Sequence, residues 1–184
     1  VVLDTSTGYG GRLVGFFASD CKKYIGIDPS IKTHESNFKM ADDLLQLDRV
    51  ELYNLPAEDV NISSLENKID FSFTSPPYFC KEHYSDESTQ SYIRYKTADA
   101  WREGFLIPMI YLTYCALKKA SYSCINISDV KIENKLYPLV KWTLDAARQI
   151  GFEFIGREEY ELGIRVGANL PNAKVSEPLL IFKK

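Results

Sequence analysis

The 184-residue chain reads as a doubly wound α/β domain built on a mostly parallel sheet of seven strands, the last two forming an antiparallel hairpin. Three observations predict it. Short apolar runs alternate with longer segments of helical spacing, without an internal repeat. A glycine-rich turn, Gly8-Tyr9-Gly10-Gly11, joins the first run to a helix start. The final two apolar runs are separated by about fifteen mainly polar residues, too few for a crossover helix with its loops, so they must pair antiparallel.

In order, residues 1–4 form the first strand and 11–19 the first helix, framing the glycine turn. Residues 23–28 are the second strand, ending on Asp28. Residues 32–47 place Phe38, Ala41, Leu44, Leu45 and Leu47 at helical spacing, which predicts one apolar face against the sheet. The third strand, 50–55, runs into Pro56-Ala57-Glu58-Asp59. The fourth strand, the run Ile69-Asp70-Phe71-Ser72-Phe73, must stop before Pro76-Pro77, because proline has no amide hydrogen for a ladder. Residues 79–98 carry Phe79, Tyr84, Tyr92 and Tyr95 among polar neighbours without a clean period, and so long a connection predicts a mobile lid. A helix starts at Asp99-Ala100-Trp101 and runs through Leu117, with Pro108 predicting a kink or an offset start. Residues 121–128 are the fifth strand, and 136–150 a helix ended by Gly151 in the position of a left-handed cap. Residues 152–162 and 178–182 are the last strands, and 163–176 between them predict a flexible loop.

At 45% hydrophobic the chain can bury a core, and one domain is expected over 1–184, with no separate target-recognition domain evident. A net charge of −3 excludes a global basic field of the kind that drives non-specific nucleic-acid binding. Cys21, Cys80, Cys115 and Cys124 form no C-x-x-C pair and His34 and His83 stand apart, so no metal site is expected, and scattered thiols fit a reducing compartment. No membrane span or signal peptide is visible, which predicts a cytoplasmic protein. Val1 opens inside a strand without a preceding methionine, so an amino-terminal portion is expected to be missing.

The chemistry is concentrated in Thr74-Ser75-Pro76-Pro77-Tyr78. Two prolines stiffen the backbone and present the Ser75 oxygen and the Pro76 carbonyl at the strand's carboxyl edge. Tyr78 adds a flat ring. Two acceptors and a ring suit a planar guest carrying an amino group, such as a nucleobase taken out of its stack. The plainer alternative is a strand-to-loop turn with a core tyrosine. Upstream, the glycine turn lets backbone approach a ligand closely, and a carboxylate at the end of the second strand accepts from ribose hydroxyls in such units.

Together these pieces, over roughly residues 1–160, resemble the S-adenosylmethionine-dependent methyltransferases that modify exocyclic amino groups of nucleic-acid bases, and are most similar to phage and bacterial DNA methylases. The resemblance implies a Rossmann-like class I methyltransferase fold with S-adenosylmethionine as cofactor. It assigns the donor to Asp4, Thr5, Ser6, Gly8, Gly10, Gly11, Asp28 and Thr74, and the target amine to Ser75, Pro76, Pro77 and Tyr78. Glu58 or Asp59 would meet the donor's adenine, although a helix-capping acid pair explains them equally well. The implied partner is double-stranded DNA with a flipped base. Specificity would then come from 79–98, from 163–176, or from a missing segment or specificity subunit, as in restriction-modification systems. Serine at the first position of the segment is, in that family, most typical of cytosine amino methylation. Carbon-5 methylation needs a cysteine directly after proline, whereas Tyr78 follows Pro77 and Cys80 comes two residues late.

Other classes predict different residues. Methylation of RNA or of a protein glutamine uses the same segment, usually with Asn first. A non-catalytic nucleic-acid-binding subunit would carry a relic donor site. A nicotinamide dehydrogenase shares the first strand–helix–strand unit and Asp28, but its third fingerprint glycine would fall at Leu13, and it has no use for Pro-Pro-Tyr.

Overall fold

The computed structural model describes residues 1–162 and 175–184; the predicted 163–176 loop therefore falls almost wholly outside the described residues. Five strands are laid down parallel: β1 (Val2–Asp4), β2 (Tyr24–Ile27), β3 (Val50–Tyr53), β4 (Ile69–Thr74) and β5 (Leu117–Asn126). A two-stranded ribbon, β6 (Val130–Ile132) and β7 (Lys135–Tyr137), stands apart from the sheet. The last strands, β8 (Glu153–Leu162) and β9 (Val175–Lys183), form the antiparallel hairpin, and β9 inserts antiparallel beside β5. The sheet order is β3-β2-β1-β4-β5-β9-β8. Strand order reverses between β1 and β4, and in open α/β sheets the crevice outside the carboxyl ends of such a pair receives ligands.

Alternation along the strands divides the core. Tyr24 joins Leu13 and Phe16 of helix α1 (Gly11–Phe17), together with Val2 and with Met40 of helix α2 (Ile31–Asp43). Leu3, Ile25 and Ile27 join the larger cluster with α3 (Ile62–Leu65), α6 (Ile107–Ala116) and α7 (Leu139–Ile150). Gly151 closes α7 at φ +118°, the left-handed cap expected of it.

Two expectations need correction and one is met. Phe38 and Leu44 of the second helical segment are half exposed, and Leu45 is 86% exposed at φ +55°; the buried side of α2 holds Asn37 and Ala41 instead. The helix after residue 98 does have the offset start expected at Pro108, which stands in the first turn of its second part. Helix α5 (Ala98–Trp101) passes through a π-helical turn, Arg102–Leu106, directly into α6, so the wider turn absorbs the amide that Pro108 lacks. Residues predicted to begin the last helix belong to β7, because Glu133 and Asn134, at φ +48° and +65°, make a two-residue hairpin turn. No helix among the described residues is long and apolar enough to cross a membrane.

Candidate active site

A cavity of about 230 Å³ lies over the carboxyl ends of β1, β2 and β4. Its floor is the turn after β1, where Thr5, Ser6, Thr7, Gly8 and Gly11 reach it. Gly8 and Gly10 hold φ of +56° and +83°, a conformation that costs other residues about 1–2 kcal/mol. Asp4 does not reach the cavity. It is fully buried beneath the turn, where it accepts from Ser6 N (3.1 Å), Arg12 Nε (2.6 Å), Tyr24 Oη (2.7 Å) and Thr74 Oγ1 (3.0 Å). Thr74 is buried with it and accepts from Thr5 Oγ1 at 3.2 Å. Both residues therefore position the turn from below. Gly10 also faces away: a Cβ there would come within 2.4 Å of Asn37 Oδ1 and 2.9 Å of Met40 Cε, whereas one on Gly11 meets nothing within 4 Å.

Two carboxylates line the cavity. Asp28 accepts from the backbone amides of Gly8 and Ser30, each at 2.9 Å. Burial pushes its carboxyl pKa up despite those two bonds. Glu58 follows β3 and its side chain is 4% exposed. One oxygen pairs with Arg94 Nη1 at 2.9 Å, while Oε2 is buried with no hydrogen-bond partner among the described residues. Burial pushes this carboxyl up as well, against the pull of Arg94. A buried acceptor without a donor costs about 1–3 kcal/mol, so this oxygen, closed off from the cavity as it stands and with Tyr95 beside the carboxylate, gains from any small shift that brings it to a donor. Asp59, the neighbouring candidate, instead takes a bidentate pair from Arg94 (2.8 and 3.1 Å).

Ser75 and Pro77 line the other end of the cavity. Ser75 Oγ lies 3.4 Å from Asn126 Oδ1, and Asn126 is itself fixed by donating to the Pro178 carbonyl at 3.3 Å. With its hydrogen turned to Asn126, Ser75 keeps lone pairs for a guest. Pro76 is buried between them. Tyr78 turns into the core: its ring is 8% exposed and its hydroxyl donates to Glu177 on β9 at 3.0 Å. The turn closes at Phe79, held at φ +53° by packing on Trp101 and Tyr137. The ring expected to face the guest is thus covered in this structure.

Residues 79–98 lie as a strap across the cavity rather than beyond it. Glu87 accepts from the Ile31 amide (3.0 Å), Thr89 donates to the Pro29 carbonyl (3.3 Å), and Ser91, heading α4 (Ser91–Arg94), accepts from Trp101 Nε1 (3.2 Å). Tyr84, Thr89, Gln90 and Ser91 all line the cavity. Sequence reasoning missed Arg94, Asn126 and the buried Gln90. The only advance signal was for Asn126, a polar residue at the end of an apolar strand. Among the described residues no group of three or more His, Cys, Asp or Glu side chains is placed to hold a metal.

No protein-family profile and no curated protein matches the chain by sequence. Solved structures do match by shape. An S-adenosylmethionine-dependent methyltransferase from Mesorhizobium loti superposes with a TM-score of 0.63 at 12% identity, over 100% of this chain and 90% of that one. The 1,6-didemethyltoxoflavin-N1-methyltransferase of Burkholderia thailandensis, with its substrate and S-adenosylhomocysteine bound, gives 0.61 at 14%, over 100% and 70%. The cyclase SpnF gives 0.62 at 15%, over 86% of this chain, which spans about half (53%) of that one. At these identities the likeness establishes the fold, a Rossmann-like methyltransferase fold with an antiparallel end.

Proposed function

We propose that this chain transfers a methyl group from S-adenosylmethionine to the exocyclic amino nitrogen of cytosine or adenine in DNA. The observation that carries the reading is one cavity joining two carboxylates, Asp28 and Glu58, to the Ser75–Pro77 segment. The residues fit the cofactor. Asp28, at the end of β2, would accept from ribose hydroxyls; the orphaned Glu58 Oε2 would accept from the adenine amino group; Gly8 and Gly11 leave room for the amino-acid portion. When bound, S-adenosylmethionine supplies an electrophilic methyl on sulfur.

The chain's own residues then act on the acceptor. A base amine is a poor nucleophile because its lone pair is delocalised into the ring. Ser75 Oγ and the Pro76 carbonyl, accepting its two hydrogens, favour a tetrahedral nitrogen and so localise that pair. The new N–C bond would replace the donor's sulfur–methyl bond, leaving S-adenosylhomocysteine, and the amine proton would pass to water, since neither oxygen is a base. Asn126 fixes the Ser75 rotamer, and Tyr78, tied to Glu177, anchors the segment. In the test, Ser75→Ala should slow single-turnover transfer by about 10–100-fold while donor and DNA affinities change little. An unchanged rate removes the segment from the chemistry.

A second reading, methylation of a free planar heterocycle, is favoured by the net charge of −3 and by the neighbour that modifies a ring nitrogen of a small molecule. Competition between duplex DNA and free nucleobases for labelled methyl separates the two.

A further inference from the structure

We propose that Tyr9 and Tyr84 form the aromatic cradle that receives the acceptor's planar ring, in place of Tyr78; the assignment rests on the acceptor being a planar amine, as inferred above. Tyr78 is 8% exposed and bound to Glu177, so its faces are occupied by the core. Tyr9 and Tyr84 are 79% and 47% exposed, and both line the cavity that also holds Ser75 and Pro77. Their ring centroids are 6.2 Å apart at 69°, an edge-to-face pair across the cavity rim.

The turn is built to hold Tyr9 outward. It sits between Gly8 and Gly10, both at positive φ, is 79% exposed, and its ring pairs with no aromatic ring other than Tyr84 among the described residues. The other strap aromatics are engaged: Tyr92 stacks on His83 and bonds the Ser85 carbonyl, while Tyr95 packs against Gly104 and the core. An edge-to-face pair makes a corner with open ring faces, so a planar guest gains stacking on the face of one ring while the other ring meets its edge. Burial and the neighbouring Glu82 carboxylate push the Tyr84 hydroxyl pKa up, so the ring stays neutral at physiological pH. One ring comes from the donor turn and the other from the strap, so the cradle forms only when the strap is docked.

Tyr9→Leu and Tyr84→Leu test this, since both side chains are exposed and neither supports the core. Stacking worth about 1–3 kcal/mol per base predicts a rise of about 5- to 150-fold in KM for the DNA acceptor in each. S-adenosylhomocysteine affinity should stay within about twofold of wild type, and Tyr9→Phe and Tyr84→Phe, which keep the ring, should restore the KM. Tyr111→Leu, an exposed tyrosine on α6, is the control and should leave KM unchanged. Unchanged acceptor KM in both Leu variants of an active enzyme overturns the cradle alone. Loss of S-adenosylhomocysteine affinity instead would place the rings in the donor site and also overturn it. A wild-type protein that binds donor but methylates no planar amine overturns the underlying reading and the cradle with it.

Discussion

Glu58→Gln is the most informative single change, because it separates a ligand for the donor's adenine from a structural acid. Glu58 Oε2 is buried without a partner, and its other oxygen shares Arg94 with Asp59. Glutamine keeps the volume and one acceptor for Arg94 but puts an NH2 where the orphan oxygen stood. Opposite an adenine amino group that is donor against donor. Losing a hydrogen bond to a charged acceptor is worth about 1.5–3 kcal/mol, so S-adenosylhomocysteine affinity should fall about 10- to 150-fold. Stability should move the other way. The carboxyl's pKa is raised in the fold, so its stabilising contribution is complete below the ordinary carboxylate value and is lost as pH rises through the raised one. Near neutral pH the uncharged glutamine escapes that loss, and Asp59 still holds Arg94. Calorimetric titration together with thermal melting should therefore show weaker binding with an equal or higher Tm. A lower Tm with unchanged affinity would refute the reasoning and restore the structural acid pair.

The remaining predictions concern the same cavity. Gly11→Val should keep the fold and weaken donor binding more than 10-fold, because Gly11 lines the cavity and a Cβ there meets nothing within 4 Å, whereas Gly10→Ala should lower Tm by colliding with Asn37 and Met40; calorimetry and melting curves check both, and intact stability in Gly10→Ala would contradict the packing. Asp28→Ala should cost about 1.5–3 kcal/mol of donor affinity. In the wild type, where burial raises the Asp28 pKa and the ionised form is the better acceptor, donor affinity should be flat at high pH and decline as pH falls through that raised value; a pH-independent affinity would remove Asp28 from the donor site. Hydrogen exchange of the 85–95 strap should slow on adding S-adenosylhomocysteine alone, since Thr89, Gln90 and Ser91 border the cavity; protection that appears only with DNA would return the strap to the acceptor side.

The parallel order and the final hairpin were legible because strand runs, turn residues and connection lengths are local signals. The carboxyl ends of β1, β2 and β4 were legible for the same reason: Asp28, Ser75 and the glycine turn each follow an apolar run. What the spacing of Phe38, Leu44 and Leu45 concealed is that the inner side of α2 must serve the glycine turn. Asn37 Nδ2 donates to the Gly8 carbonyl at 2.9 Å, so a polar residue goes inward and the aromatic one outward. Asp4 and Thr74 were read as donor contacts from their positions in sequence, but the register Leu3↔Ser72 brings the two strand ends together and buries both side chains under the turn. The ion pair of Arg94 with Glu58 and Asp59 spans about 35 residues and has no local trace, and with the Glu87–Ile31 and Thr89–Pro29 bonds it holds the strap over the cavity. The inward turn of Tyr78 depends on Glu177, 99 residues away.

The central claim is tested most directly by digesting duplex DNA to nucleosides after incubation with the protein and methyl-deuterated S-adenosylmethionine, and identifying the product by mass spectrometry. N4-methyldeoxycytidine or N6-methyldeoxyadenosine carrying the label, at a rate much reduced in Ser75→Ala, is the predicted result. Labelled 5-methyldeoxycytidine, or label confined to RNA, protein or free heterocycles while DNA stays unmodified, would contradict it.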